Sequence, residues 1–183
     1  MHASIKITAQ LTILLSGYLL LACQQQTYSV EEDTCMQLTA EQAGAQIVNI
    51  YKKAIKQTTE LVKNQPDAEI IQTQFDDLLH SWQTELLTIG QHVMGMTERE
   101  KQQVGSAVNK EHVNMQYDKQ AKQQFTAYSQ GIFPYHQTNP ELYQKLKSIN
   151  IITQFAFFDL LKKQNPGAEE KWGDLMTPYV CSN

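Results

Sequence analysis

The sequence predicts an all-α domain, built as an antiparallel four-helix bundle with a short C-terminal tail. Apolar residues recur at alternating steps of three and four through most of the chain, which is the spacing of one helix face. The breaks between these segments carry proline, glycine or helix-capping residues. No Val-, Ile- and Thr-rich run alternates with polar residues between hairpin turns, so a sheet is not expected.

The first two helices are predicted between residue 39 and about residue 96. Thr39 and Gln42 have the spacing of a capping box, and Pro66 ends the first helix. The stripe of the first helix consists of Ala40, Gly44, Ile47, Tyr51, Ala54, Thr58 and Leu61. The second helix, from about Asp67 to Met96, has the clearest stripe in the chain. Its members are Ile71, Phe75, Leu78, Trp82, Leu86, Ile89 and Val93.

The third helix is expected to begin at Thr97, where Glu100 completes a second capping box, and to end at Gly131. Its middle is polar and its apolar stripe drifts around the helix axis. A break near Gly105 or Lys110 is therefore expected.

The fourth helix is predicted to begin at Pro140, with Asn139 as its N-cap, and to end at residues 165–167. Proline is favoured at the first helical position because its missing N–H has no partner there in any case. Apolar residues surround this helix almost completely, so it is expected to be the best-buried element or to carry a face for a partner.

Three aromatic residues are candidates for such an interface. Phe157 and Phe158 lie on the fourth helix, and Trp172 lies in the tail of residues 168–183. Aromatic side chains concentrate binding energy at interfaces. Core burial explains most of them equally well, but one helix stripe cannot bury every apolar face. We therefore expect Phe157 or Phe158 to be exposed or to be covered by the tail.

The N-terminal segment resembles the signal of bacterial lipoproteins. Lys6 supplies positive charge near the start, residues 7–21 are mostly apolar, and Leu20-Leu21-Ala22-Cys23 ends the run. The alternative is a transmembrane anchor, but the apolar run is about 15 residues long where a span needs about 20. The lipoprotein interpretation is therefore preferred.

The resemblance implies cleavage before Cys23 and lipidation of that cysteine on its sulfur. It divides the chain into a signal peptide (1–22), a lipidated cysteine with a flexible tether (23–37) and a helical domain (38–183). In this class an aspartate directly after the cysteine retains proteins in the inner membrane, and here that residue is Gln24. The expected location is the outer membrane, with the domain facing the periplasm.

Two cysteines, Cys35 and Cys181, are left after lipidation of the first. An even number of cysteines in an oxidising compartment predicts a disulfide between them. An even number of antiparallel helices also returns the chain to the end where it began, which supports the same pairing. The alternative is two free thiols, which would be prone to oxidation near the chain ends.

A set of His and Met residues is the nearest approach to a metal site. It consists of His92, Met94, Met96, His112 and Met115. Imidazole and thioether ligands suit copper, and the turn between the second and third helices would bring the two groups together. The sequence favours the alternative, in which the methionines fill core space and the histidines are solvated. No cofactor is therefore expected.

Charge and motifs narrow the function further. The formal net charge is −4, and it becomes −5 without residues 1–22, whose only charged side chain is Lys6. Arg99 is the only arginine and no basic stripe is interleaved with aromatics, so nucleic acid is not an expected partner. Nucleophile-elbow, phosphate-loop and His-Glu-x-x-His motifs are absent from the sequence. The sequence favours a non-enzymatic outer-membrane lipoprotein that binds another envelope protein. The alternative is a periplasmic binder of copper or a small ligand.

Overall fold

The computed structural model describes residues 36–180, which form an all-α domain, as the periodicity predicted. The helices are α1 (Ala40–Leu61), α2 (Ala68–Met94), α3 (Glu98–Tyr117), α4 (Lys119–Ile132), α5 (Tyr135–Thr138), α6 (Pro140–Lys147), a 3₁₀ helix (Ser148–Ala156), α7 (Phe158–Gln164), α8 (Ala168–Trp172) and a 3₁₀ turn (Gly173–Leu175). None of these helices has both the length and the apolar character of a membrane span. The lipoprotein signal, Cys23, Cys35 and Cys181 lie outside the described residues.

The predicted helix starts are confirmed. Thr39 and Gln42 form a reciprocal capping box at the start of α1, because each side chain bonds the other residue's backbone N–H. Thr97 and Glu100 do the same for α3. Asn139 caps α6 by accepting a hydrogen bond from a backbone N–H, with proline at the first helical position. These local signals fix where three of the helices begin.

Helix α1 lies at the centre of the bundle and contacts α2, α3, α4 and the 3₁₀ helix. It packs antiparallel to α2 through two polar contacts at successive levels. Lys53 Nζ lies 2.8 Å from Glu85 Oε1, and the indole N–H of Trp82 donates to Gln57 Oε1 at 3.0 Å. The Trp82 side chain is fully buried. The indole N–H, the only polar group of the buried Trp82 side chain, therefore has a hydrogen-bond partner.

Helix α3 runs parallel to α1 and approaches it closely. A Cβ atom on Gly44 would lie 2.9 Å from the Cβ of Ala107. Further along both helices, the rings of Tyr51 and His112 meet edge to face with centroids 4.8 Å apart. The absence of a side chain at Gly44 is what permits the close approach, so this glycine has a packing role.

The third predicted helix is interrupted, but not at the expected place. Gly105 and Lys110 both lie inside α3, and the break is at Asp118. The Asp118 carboxylate accepts hydrogen bonds from the backbone N–H groups of Gln120 and Ala121 at 3.0 and 2.9 Å. Asp118 caps the start of α4 and thereby ends α3. The drift of the apolar residues around the helix axis did not predict this position.

The fourth predicted helix is not continuous. Its middle is the 3₁₀ helix, which the apolar spacing accounts for: Ile149, Ile152 and Phe155 occur at every third position and all three are buried. A 3₁₀ helix has three residues per turn, so these side chains lie on one line facing the core. The many β-branched residues in this segment also weaken its preference for an α-helix.

The last segment runs parallel to α2. Near one end of the bundle Lys145 Nζ lies 2.7 Å from Asp76 Oδ2, and near the other end the Phe158 ring packs against Gly90. The chain therefore crosses the bundle four times in alternating directions. Helix α4 continues the third crossing along α1, because Gly131 near its end lies against Val62 at the end of α1. Helix α5 lies in the last reversal, and the tail returns to the end of α2.

Candidate functional site

The aromatic residues expected at an interface are mainly part of the core. Phe158 is buried against Gly90, and Trp172 is buried with its ring edge-to-face on Phe155, the centroids 4.9 Å apart. These two side chains are therefore not exposed: Phe158 packs on α2, and Trp172 of the tail covers Phe155. Phe157 is only partly buried and is the one candidate left at the surface.

The candidate copper ligands are not brought together. His92 lies in the last turn of α2, whereas His112 is fourteen residues beyond the start of α3 at Glu98, about 21 Å along the helix axis. Met96 and Met115 are buried in the core, and Met94 is partly exposed. Within residues 36–180, no three His, Cys, Asp or Glu side chains are grouped where they could share a metal ion.

His92 instead joins the two ends of the domain, at a place we call the His92 junction. Its Nδ1 accepts a hydrogen bond from the backbone N–H of Leu38 at 3.4 Å, and the Tyr179 ring lies over it with centroids 4.0 Å apart. The neighbouring Gln91 bonds the tail twice, through its carbonyl to Tyr179 N–H and through its side chain to the Leu175 carbonyl. Burial lowers the pKa of His92, which favours the neutral ring that this accepted hydrogen bond requires.

A second place where polar groups converge is a cleft between α3 and the last segment, which we call the α3–α7 groove. It consists of two adjoining pockets of about 340 and 240 Å³ that share Phe157 and Leu160. The first pocket lies between α3 and the 3₁₀ helix, and the second reaches the end of α2. The residues used below are Gly105, Val108, Asn109 and His112 of α3, Asn150, Ile151 and Gln154 of the 3₁₀ helix, and Met94 of α2.

The walls of the groove expose apolar side chains. Ile151 is 55% exposed, and Leu160 and Met94 are each 42% exposed. Three residues per turn place Ile151 and Gln154 on one line, next to the buried line that faces the core. The 3₁₀ geometry thus turns one row of residues toward the core and a second row toward the groove.

Three polar side-chain atoms in this groove are buried without a hydrogen-bond partner. They are His112 Nε2, Asn150 Oδ1 and Gln154 Oε1. The Gln154 side chain belongs to a residue that is only 8% exposed. A buried polar group without a partner costs about 1–3 kcal/mol, so three in one groove form an unsatisfied hydrogen-bonding array.

Gly105 lies in the wall of the first pocket and has open space where a side chain would be. A Cβ atom there would meet nothing within 4 Å. Glycine in a helix interior costs about 0.5–1 kcal/mol relative to alanine, and here no close packing within the domain offsets it. The bare backbone widens the groove instead.

The first pocket of the groove has no charged lining residue. Burial lowers the pKa of His112, and the neighbouring Glu111 carboxylate acts weakly in the opposite direction. That carboxylate lies 3.1 Å from Lys52 Nζ, so its charge is compensated. The second pocket is lined by three charged residues: Lys101 and Lys162, which pair with glutamates outside it, and Asp159, an exposed carboxylate with no ion pair among the described residues. The first pocket therefore suits an uncharged part of a ligand.

A larger cleft of about 550 Å³ lies over the contact between α1 and α3, but it is a weaker candidate. Small residues such as Gly44, Ala45 and Ala107 form its floor, and its buried charge, Glu111, is paired with Lys52. The α3–α7 groove alone combines exposed apolar walls with three unpartnered polar atoms among the clefts of residues 36–180 described above. It is the candidate functional site.

No protein-family model matches this chain, and neither a curated protein nor a solved structure matches it. Four of the groove residues, Met94, His112, Phe157 and Phe158, were candidates from the sequence for a different kind of site, and the others were not expected to belong to one. The available signal was the three-residue apolar period from Ile149 to Leu161, which leaves Ile151, Gln154 and Leu160 on a different face.

Proposed function

We propose that this chain is a non-enzymatic lipoprotein anchored in the outer membrane, whose periplasmic domain binds another envelope protein through the α3–α7 groove. The sequence Leu20-Leu21-Ala22-Cys23 supports the anchor. The observation that carries the binding role is the groove itself, in which apolar walls and unpartnered polar atoms lie side by side. An apolar cleft with a few convergent polar groups is the usual form of a binding site.

The chemistry of the groove favours a protein partner. Ile151, Leu160 and Met94 supply apolar contact area. Burying it would contribute about 25 cal/mol per Å². The unpartnered atoms of Asn150 and Gln154 can accept hydrogen bonds, which a polypeptide offers along its whole backbone. A polypeptide satisfies both kinds of group at once.

The anchor is tested by Cys23→Ser in the full-length protein. Each buried methylene of an acyl chain contributes about 0.8 kcal/mol to membrane binding. We expect the variant to leave the outer-membrane fraction, with the signal peptide uncleaved or the product free in the periplasm. Retention in the outer membrane, as for the wild type, would show that the lipoprotein interpretation is wrong.

The binding role is tested by filling the groove. Gly105→Trp places a large side chain in the first pocket, where the backbone leaves open space. Gly173→Trp is the matched control, because Gly173 also has open space around it and does not line the groove. Each variant would be expressed at native level with a tag, extracted in mild detergent and purified from the envelope.

We expect the wild type and Gly173→Trp to bring down the same envelope protein in stoichiometric amount, and Gly105→Trp to lose it. Thermal unfolding of both variants checks that the fold is intact. A partner that survives Gly105→Trp contradicts binding at the groove. If the folded wild type brings down no envelope protein, the adaptor function itself is contradicted.

A further inference from the structure

We infer that the α3–α7 groove binds an extended peptide segment with apolar side chains at alternate positions, uncharged where it meets the first pocket and held by its backbone N–H groups. This inference rests on the proposed function and adds the conformation and chemistry of the bound segment. It is carried by Gln154, a residue more than nine-tenths buried whose Oε1 atom has no partner, together with Asn150 Oδ1.

The unpartnered atoms decide between possible occupants. The oxygens of Asn150 and Gln154 need hydrogen-bond donors. An acyl chain has no donor and would leave both oxygens unsatisfied while burying them further. An α-helix uses its interior N–H groups within itself, so only its first turn could donate. An extended peptide has a free N–H on each edge at every second residue.

The spacing of the two acceptors fits this ligand. Asn150 and Gln154 are four residues apart in a 3₁₀ helix, a rise of about 8 Å, and they lie on adjacent rows about 120° apart around its axis, both of which line the first pocket. N–H groups on one edge of an extended chain recur about every 6.8 Å, and the side-chain torsions of the amides can absorb the difference. The two amides thus take the role that a sheet edge has when it binds an added strand.

The length of the groove limits the segment. Lys101 and His112 mark its extent along α3, which is about 17 Å at 1.5 Å per residue. An extended chain covers that distance in about five residues at 3.3 Å each. The two pockets on either side of Phe157 and Leu160 would receive side chains that point the same way, two positions apart.

The first experiment identifies the pattern of the ligand. A displayed library of random heptapeptides would be selected on the wild-type domain after depletion on Gly105→Trp, whose groove is filled. We expect enriched peptides to carry apolar residues at alternate positions and few charges. Enrichment of a helical pattern with apolar residues three and four apart would overturn the inference, as would failure to enrich any peptide.

The second experiment tests the hydrogen bonds. The best heptapeptide would be compared with a version N-methylated at alternate amides, which keeps its side chains and removes donors from one edge. Both versions with alternate residues methylated would be made, so that each edge is tested. We expect one of them to bind the wild-type domain about tenfold more weakly or worse, because donor groups are lost and the acceptors are left unpaired.

Gln154→Leu gives a readout that a purely structural role of Gln154 would not move. We expect about five- to tenfold weaker binding of the unmodified peptide and a melting temperature of the free domain that is unchanged or higher, because an unpaired buried acceptor is removed. The penalty for N-methylation should also shrink in this variant. Gln123→Leu on the outer face of α4 is the matched control and should bind normally.

If neither N-methylated version binds more weakly than the unmodified peptide, the backbone-donor inference is overturned. An unchanged affinity of the unmodified peptide for Gln154→Leu would overturn it as well. The proposed function would then be judged separately by the co-purified envelope protein. Suppose that Gly105→Trp loses the envelope protein but that the selected peptides have a helical pattern. The adaptor function would then stand, and the extended segment would be disproved.

Discussion

Two histidines of this domain, the buried His92 and the partly buried His112, show how the same side chain serves two regions differently. At the His92 junction, the ring accepts a hydrogen bond from Leu38 N–H and lies against the Tyr179 ring. At the α3–α7 groove, the His112 ring contacts Tyr51 at its edge, but its Nε2 atom is buried without a partner. Burial lowers the pKa of both.

The two regions differ chiefly in whether their buried polar atoms have hydrogen-bond partners. The polar groups at the junction are paired within the chain, so the junction has a structural explanation in the fold itself. The groove leaves three atoms unpaired, next to exposed apolar residues. The first region holds the two ends of the domain together, and the unpaired atoms of the second support the proposal that it binds a ligand.

The largest loss of stability is expected from reduction of the predicted disulfide beside the His92 junction, and it would support a structural role for this region. Leu38 and Tyr179 both contact His92. Cys35 lies three residues before Leu38 and Cys181 two residues after Tyr179. Because both cysteines lie within three residues of residues that contact His92, the disulfide predicted from the sequence is expected to cross-link the chain beside this junction. A soluble form beginning at Gln24 should contain no free thiol and should lose up to about 5 kcal/mol of stability on reduction.

Thiol titration of the oxidised, folded protein and denaturant unfolding with and without reductant measure this. Two titratable thiols in the natively folded protein would disprove the pairing of Cys35 with Cys181. Unchanged stability on reduction would show that the bond, if present, does not constrain the unfolded chain.

Substitution of each histidine by leucine tests whether the two regions differ in their contribution to stability. His92→Leu leaves Leu38 N–H without its acceptor and removes the ring under Tyr179, so we expect a loss of about 1–3 kcal/mol. His112→Leu removes an unpaired buried atom and keeps apolar contact, so stability should change by less than about 1 kcal/mol. Urea unfolding of both variants is the measurement. A larger loss at His112 would contradict the distinction.

Acid should weaken the domain through both histidines. Because their pKa values are lowered by burial, the folded state binds protons less readily than the unfolded chain, in which histidine has its ordinary value of 6.5. Their contribution is therefore fully present above pH 6.5 and is lost as the pH falls below it. Unfolding curves between pH 8 and pH 5 should show a decline that is shallower in the His92→Leu, His112→Leu double variant. An equally steep decline in that variant would assign the pH dependence to other groups.

The smallest changes in stability are expected at two glycines. Gly44 of α1 faces Ala107 of α3, and Gly105 of α3 faces open space. Gly105→Ala should raise stability by about 0.5–1 kcal/mol, because helix propensity improves and the methyl group enters open space. Gly44→Ala should lower it despite the same gain, because the new Cβ would lie 2.9 Å from Ala107 Cβ. Thermal unfolding of the two variants decides, and Ala107→Gly should relieve the loss in Gly44→Ala. A loss of stability in Gly105→Ala would show that this position is not open.

Local chemistry made much of the fold predictable from the sequence. Thr39, Thr97 and Asn139 cap helices as expected because capping depends on residues within one turn. The break at Asp118 was missed, although an aspartate before a helical run is a start signal of the same kind. The expected break at Gly105 was wrong because an isolated glycine in a helix is tolerated.

The candidate site was far less predictable. The 3₁₀ helix depends on a period of three, with Ile149, Ile152 and Phe155 buried, which is close enough to the α-helical period to be mistaken for it. The unpaired state of Gln154 depends on which side chains lie around it in space. Propensity and spacing contain no information about that environment, so the apolar period sets Gln154 off the buried line but does not predict that its oxygen is unpaired.

Photo-crosslinking in the living cell tests the distinction between the two regions most directly. p-Benzoylphenylalanine would replace Leu160 in the groove or Leu175 beside the junction, two leucines with similar exposure of 42% and 40%. We expect the probe at position 160 to crosslink one envelope protein, and Gly105→Trp to abolish that product. The probe at position 175 should give no such product. The same product from both positions, or one only from position 175, would contradict the assignment of binding to the groove.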